Sequence, residues 1–237
     1  EGFRYVQQPL REPVTLVLAP FSANEAPRNK LPALTLLSSG LIPAPDGAPS
    51  AHASTLAQLP SGEMLALWWA GARESAPDVA IYASRWNGAR WSAPSRVVER
   101  HQLGRQLGFG VRRLGNPVAW VAGDGRVHLY IVATGLGGWA ASRIVHLTSD
   151  DGAQSFAALR VLALSPLFNT SMLVRTPAIP TANGGWLLPA YFELGNKYPL
   201  LIAMDAQGVP RWARRIGTSR SSLQPAEPAH SFTALTR

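Results

Sequence analysis

The sequence predicts an all-β fold, and three observations predict it. Short apolar runs of strand length recur between Gly, Pro, Asn and Asp; proline falls too often for a helix of three turns; and the strand–turn–strand unit repeats. The 237 residues include 21 glycines and 20 prolines, the punctuation such a pattern needs. With 46% hydrophobic residues and only 15% charged ones, the chain can bury a large core, which excludes general disorder.

The hairpins follow in order. The first runs from Ser54 to Leu59, turns at Pro60-Ser61-Gly62 and returns from Glu63 to Ala70. The second pairs Asn116 to Val121 with Arg126 to Ala133 across Gly123-Asp124-Gly125. The third pairs Arg175 to Pro180 with Trp186 to Phe192 across Ala182-Asn183-Gly184-Gly185. Each carries the turn residues that close antiparallel strands. A further strand then leads into a polar segment ending in an aromatic: Ser84 to Trp91, Ser149 to Phe156 and Asp205 to Trp212. All three segments are eight residues long, and their aromatics stand 65 and 56 residues apart. A large β-sandwich would need that spacing by chance. A four-stranded unit of this length is the blade of a β-propeller, the architecture the repeats predict.

Composition excludes several function classes. Without cysteine there is no disulfide framework, no thiolate nucleophile and no sulfur-built zinc site. No apolar run approaches the roughly 20 residues that span a bilayer. The net charge is +8, yet the arginines are scattered and no block of five or six like charges occurs, so no nucleic-acid partner is expected. The N-terminus, beginning at Glu1, lacks a leader pattern, which leaves room for one already removed. A periplasmic or secreted location is favoured over the cytoplasm.

Ser149-x-Asp151-x-x-x-Ser155-Phe156 resembles the Asp-box of bacterial neuraminidase (BNR) repeats, S-x-D-x-G-x-T-W, with Ala153, Ser155 and Phe156 as replacements. The first segment keeps Ser84, Gly88 and Trp91 but has Trp86 at the aspartate position, and the third keeps only Trp212. The likeness continues through Ala51-His52-Ala53-Ser54-Thr55-Leu56, Leu65 to Gly71, Glu74, Asp78 and Gly115-Asn116-Pro117. It extends to Ser165-Pro166, Asn169, Leu188 to Glu193 and Leu223-Gln224-Pro225. Over roughly residues 50 to 237 the chain is similar to the sialidase-like BNR-repeat glycosyl hydrolases. The Asp-box is a structural turn, so it speaks for fold and not for activity.

The resemblance implies a six-bladed propeller with a central pocket and exo-cleavage of a terminal sugar, anionic sugars included. Sialidases use an arginine triad, an aspartate acid/base and a tyrosine–glutamate nucleophile pair. Asp78 stands where their acid/base lies, although an aspartate after Pro77 also suits a turn cap. Glu193 and Tyr191 alternate at a strand end and share a face, as a pocket wall or as an exposed end. The catalytic candidates are therefore Asp78, Glu193 and Tyr191.

Candidate substrate-binding residues are His52, Arg73, Asn116, Asn169, Gln224 and Arg237. His52 occupies the first triad position but cannot form the two-pronged bond of a guanidinium. Gln224 replaces the glutamate that activates the tyrosine, and glutamine is no base. Arg237 falls near the second triad arginine. These departures keep open a non-catalytic propeller that binds a glycan or a protein. No metal and no cofactor are expected, and the +8 charge reads as, at most, a preference for anionic sugars.

Six blades of this length need roughly 340 to 390 residues. The chain covers about three and a half to four of them. Residues 1–49 are expected to form an N-terminal segment with the leading strand or strands. Residues 50–237 should form an incomplete propeller, with blades ending near 97, 162 and 216 and the start of another. The rest of the ring would come from missing sequence or from another chain.

Overall fold

A computed structural model describes residues 39–164, 169–195 and 197–216. The first sheet holds β1 (Ser50–Gln58), β2 (Met64–Gly71), β3 (Ala80–Trp86) and β4 (Ser95–Val98), in that order. The second holds β5 (Arg113–Val121), β6 (Val127–Thr134), β7 (Ser142–Ser149) and β8 (Ala157–Val161). The third orders β10 (Ile179–Pro180), β11 (Trp186–Phe192), β12 (Tyr198–Met204) and β13 (Pro210–Arg215), with β9 (Met172–Val174) also paired to β11. Every pairing is antiparallel. The first strands pack on one another, β1 on β5 and β5 on β9. Three meandering sheets joined through their first strands form an incomplete β-propeller.

Strand β6 shows why the sheets stack. All eight of its residues are buried, and their alternation divides them between two cores. Val127, Leu129, Ile131 and Ala133 join Leu65, Leu67 and Ile81 of the first sheet. Tyr130 and Val132 join Trp186, Leu188 and Ile202 of the third. A middle strand covered on both faces reads as a continuous apolar run, hence Val127 to Ala133. The face of the first sheet turned from the second, with Trp68 and Tyr82, is packed by Ala48 and Ile42.

The polar segment before each last strand is organised by one side chain. Asp151 accepts hydrogen bonds from the Ser149 hydroxyl at 2.6 Å, the Gln154 and Ser155 N–H groups, and the Ser155 hydroxyl at 2.6 Å. The Ser149 and Ser155 hydroxyls hold its carboxyl well below the usual carboxylate range. Where Trp86 replaces the aspartate, Asn87 accepts from the Ala89 and Arg90 N–H groups instead. In the third segment Asp205 accepts from Gln207 and Val209. Ala153 takes the glycine position at φ 67°, which strains a β-carbon by about 1 kcal/mol. Asp151→Ala should cost about 1 kcal/mol, kept small by exposure to solvent, and should lower the urea midpoint without changing its slope.

One element departs from the sequence expectation. Helix α1 (Arg100–Leu107) links the first two sheets and ends at Gly108, φ 74°, whose N–H donates to Gly104 O at 3.0 Å. Its polar residues hide the helical period, and Gly104 argues against a helix. That glycine is required by packing, since a Cβ there would lie 2.9 Å from Phe109 O. Of the expected N-terminal segment, residues 1–49, only 39–49 are described, and they hold a turn and no strand; the further blade from 217 onward lies outside the described residues.

Candidate functional site

The register places three loops on one face. β1 starts opposite the end of β2, Ser50 facing Gly71; β5 starts opposite the end of β6, Arg113 facing Thr134; and Met172 of β9 faces Phe192. The loops after β2, β6 and β11 therefore surround the starts of the first strands. Each first strand carries a non-glycine residue at positive φ near that end: Ala53 at 53°, Asn116 at 42°, and Ser171 just before β9 at 56°. In β1 and β5 these residues fall where the register shifts. Bulges of this kind re-aim side chains, and such backbone strain collects at functional sites.

Tyr191 is half-buried on β11, near the Asn116 side chain of β5. Burial pushes its phenol up, the Glu193 charge pushes it further, and Arg175 and Asn116 oppose them. The Glu193 N–H donates to Ser171 O at 3.1 Å, and its carboxylate stands 3.7 Å from Lys197 Nζ. The loop after β6 forms the other wall. Its Trp139 Nε1 donates to Ser75 Oγ at 3.0 Å, reaching the first sheet's loop, and Ser171 Oγ donates to Ala140 O at 2.7 Å. The Trp139 ring lies over Gly115, where a Cβ would come within 3.1 Å of it. One loop thus ties all three sheets together and leaves a partly exposed indole beside the site.

Asn116, Tyr191 and Glu193 come from the second and third sheets, while His52, near the start of β1, and Arg73 and Asp78, in the loop after β2, belong to the first. Asp78 is exposed, accepts the Ala72 N–H at 2.8 Å and lines a cavity of about 240 Å³ with Tyr82 and Arg96 of β3 and β4. Arg73 is exposed on the same loop. His52 is exposed on β1, its ring 5.7 Å from that of Trp69. Asn169 uses both ends of its amide on backbone, donating to Leu162 O at 2.7 Å and accepting from Leu164 N at 3.0 Å. Gln224 and Arg237, with Ser165-Pro166 and Leu223 to Pro225, lie outside the described residues.

Sequence reasoning missed Arg175 and Trp139. Arg175 follows β9 after only three strand residues, too short a run to signal a strand end. Trp139, in Gly135-Leu136-Gly137-Gly138-Trp139, was detectable as a lone indole in a glycine loop between two strands. Among the described residues no group of three His, Asp or Glu stands ready to hold a metal. No described helix is long and apolar enough to cross a membrane.

The BNR repeat-like domain model matches residues 62–237. Among solved structures, the chain is similar to the Hadza microbial sialidase Hz136, at 14% identity and a TM-score of 0.60, covering 71% of this chain and 38% of that one. It is also similar to the intramolecular trans-sialidase from Ruminococcus gnavus, at 9% identity and a TM-score of 0.55, covering 74% and 62%. A family 117 glycoside hydrolase from the marine bacterium Zobellia galactanivorans shares 13% identity with a TM-score of 0.54, over 73% and 57%. The chain thus spans less than two thirds of each structure's length, and at these identities the likeness is one of fold. Comparison with curated proteins returns no match.

Proposed function

The chain belongs to the BNR repeat-like family, and from that membership we propose that it is an exo-acting glycoside hydrolase of the sialidase-like superfamily. The observation that carries this reading is the register, which sets Tyr191 and Glu193 at the end of β11 beside the strained starts of the first strands, where Asn116 and Ser171 stand at positive φ. The substrate is a terminal sugar seated there, with the Trp139 indole as a flat apolar wall. Although the resemblance sets any nucleophilic tyrosine and the third arginine beyond Arg237, the nucleophile in this reading is Tyr191, the exception to the two-carboxylate scheme. Its phenolic oxygen forms the bond to the anomeric carbon while its proton passes to the Glu193 carboxylate. The bond from that carbon to the leaving oxygen breaks, and Asp78 supplies the leaving oxygen with a proton. Water then cleaves the glycosyl–tyrosine bond, giving a proton back to Asp78 as the phenol recovers its own.

A second reading, a glycan-binding propeller without turnover, is favoured by the Asp78 carboxylate being engaged by Ala72 N–H. A panel of chromogenic glycosides separates the two. The hydrolase reading expects release from at least one glycoside and a loss of about 10²-fold or more in Asp78→Asn. Equal rates in wild type and Asp78→Asn would remove Asp78 from the mechanism. Saturable glycan binding with no release from any member would establish the second reading.

A further inference from the structure

Next to the Trp139 loop lies a groove of about 850 Å³, which shares Arg100 and His101 with the smaller cavity at Asp78. It runs between α1, the segment leading into β5 and the start of β7. Arg100, Arg105, Arg112 and Arg143 line it together with His101, and no carboxylate among the described residues does so. The described ion pairs occupy other arginines: Arg96 with Glu99, Arg126 with Asp150, and Arg211 with Asp205. Four guanidinium groups thus converge on one concavity without a described carboxylate partner. Such convergence raises the local positive potential and draws anions into the space.

Arg143 is the best-placed of the four. Its guanidinium carbon lies 5.2 Å from the centre of the Phe109 ring, which fixes its plane. Its Nε is buried and without a hydrogen-bond partner among the described residues. Buried donors in native proteins are rarely left unmatched, so this one, on a side chain that lines a basic groove, points to a ligand that carries acceptors.

We propose that this groove binds an oligosaccharide bearing carboxylate or sulfate groups. Planar guanidinium forks suit both anions. The volume falls within the roughly 300–1,000 Å³ of small-molecule sites, whereas a phosphate backbone needs a longer basic track. The groove and the candidate site share one loop, lined here by Gly135, Leu136 and Ala141 and there by Trp139 and Ala140. Binding is read without turnover, so it stands or falls independently of the hydrolase reading.

The test is titration calorimetry on the full chain at low salt. The probes are a sulfated heparin tetrasaccharide, tetragalacturonate, neutral cellotetraose and a short single-stranded DNA. At least one charged saccharide should bind one to one and weaken as salt rises. The sulfated and carboxylated probes tell which anion the groove prefers. Affinity should drop about tenfold or more in the exposed double variant Arg105→Gln/Arg112→Gln, and stay unchanged in Arg214→Gln on β13. Equal binding of cellotetraose, wild-type affinity in the double variant, or no binding of either charged saccharide would overturn the proposal. Tighter binding of DNA than of both saccharides would replace it with a nucleic-acid surface.

Discussion

Trp186→Ala is expected to destabilise the protein by about 4–6 kcal/mol, a large share of the roughly 5–15 kcal/mol that holds a domain folded. Trp186 is fully buried where the second and third sheets meet. Its ring lies 4.7 Å from that of His128 and 5.6 Å from that of Trp120, and its Nε1 donates to the Tyr130 hydroxyl at 3.1 Å. Truncation opens a cavity worth about 3–5 kcal/mol and leaves the Tyr130 hydroxyl unpaired in an apolar core. The melting temperature should drop by more than about 10 °C. Trp186→Phe, which keeps most of the volume and loses the donor, should cost about 1–2 kcal/mol. Melting of Trp186→Ala within about 2 °C of wild type would show that the third sheet is not packed on the second as described.

The second large effect is loss of stability in acid. His128 Nδ1 and His146 Nε2 are 2.8 Å apart, their rings stack at 5.1 Å, and both side chains are buried. Burial lowers His128 to about 4. Burial, and then the neighbouring His128, lowers His146 to about 3. The unfolded chain takes up these protons near the ordinary histidine value of about 6.5, whereas the folded chain resists until pH 4 and below. The neutral pair therefore contributes fully above about pH 6.5, and its contribution is lost as pH falls from there through 4 toward 3. At pH 5 the loss should reach about 2–4 kcal/mol. The tip of the β12–β13 turn closes this site, since a Cβ on Gly208 would lie 2.7 Å from His128 Cε1. Melting curves from pH 7.5 to 4.5 should therefore slide downward in wild type and flatten in His128→Gln/His146→Gln. An equal slope in both proteins would remove the pair as the cause.

Much of the fold was written in local chemistry. The turns at Pro60-Ser61-Gly62, Gly123-Asp124-Gly125 and Ala182-Asn183-Gly184-Gly185 need only their own residues to form, and the period-2 division of β6 follows from the pleat. Helix α1 was not legible, because Gly104 answers to Phe109 and not to helix propensity. The histidine pair was hidden for a related reason. His128 and His146 lie on neighbouring strands, and nothing in either strand foretells their partner.

The candidate site divides in the same way. Tyr191 and Glu193 could be read as a pair because alternation on one strand end puts them on one face. Asn116 and Trp139 come from the second sheet, and Arg175 follows β9, the strand paired to β11, relations that pattern along a single strand does not encode. For Asp78 both readings were available from the sequence. In the structure its carboxylate accepts the Ala72 N–H and stands on the side of β3 and β4.

The measurement that bears most directly on the central claim is the initial rate of glycoside release by Tyr191→Phe against wild type. It is taken on the best substrate of the panel, with melting curves showing both proteins folded. With Tyr191 as the nucleophile, the rate should fall about 10²-fold or more, with substrate affinity held within a few-fold. A Tyr191→Phe protein that releases the sugar at the wild-type rate would contradict it.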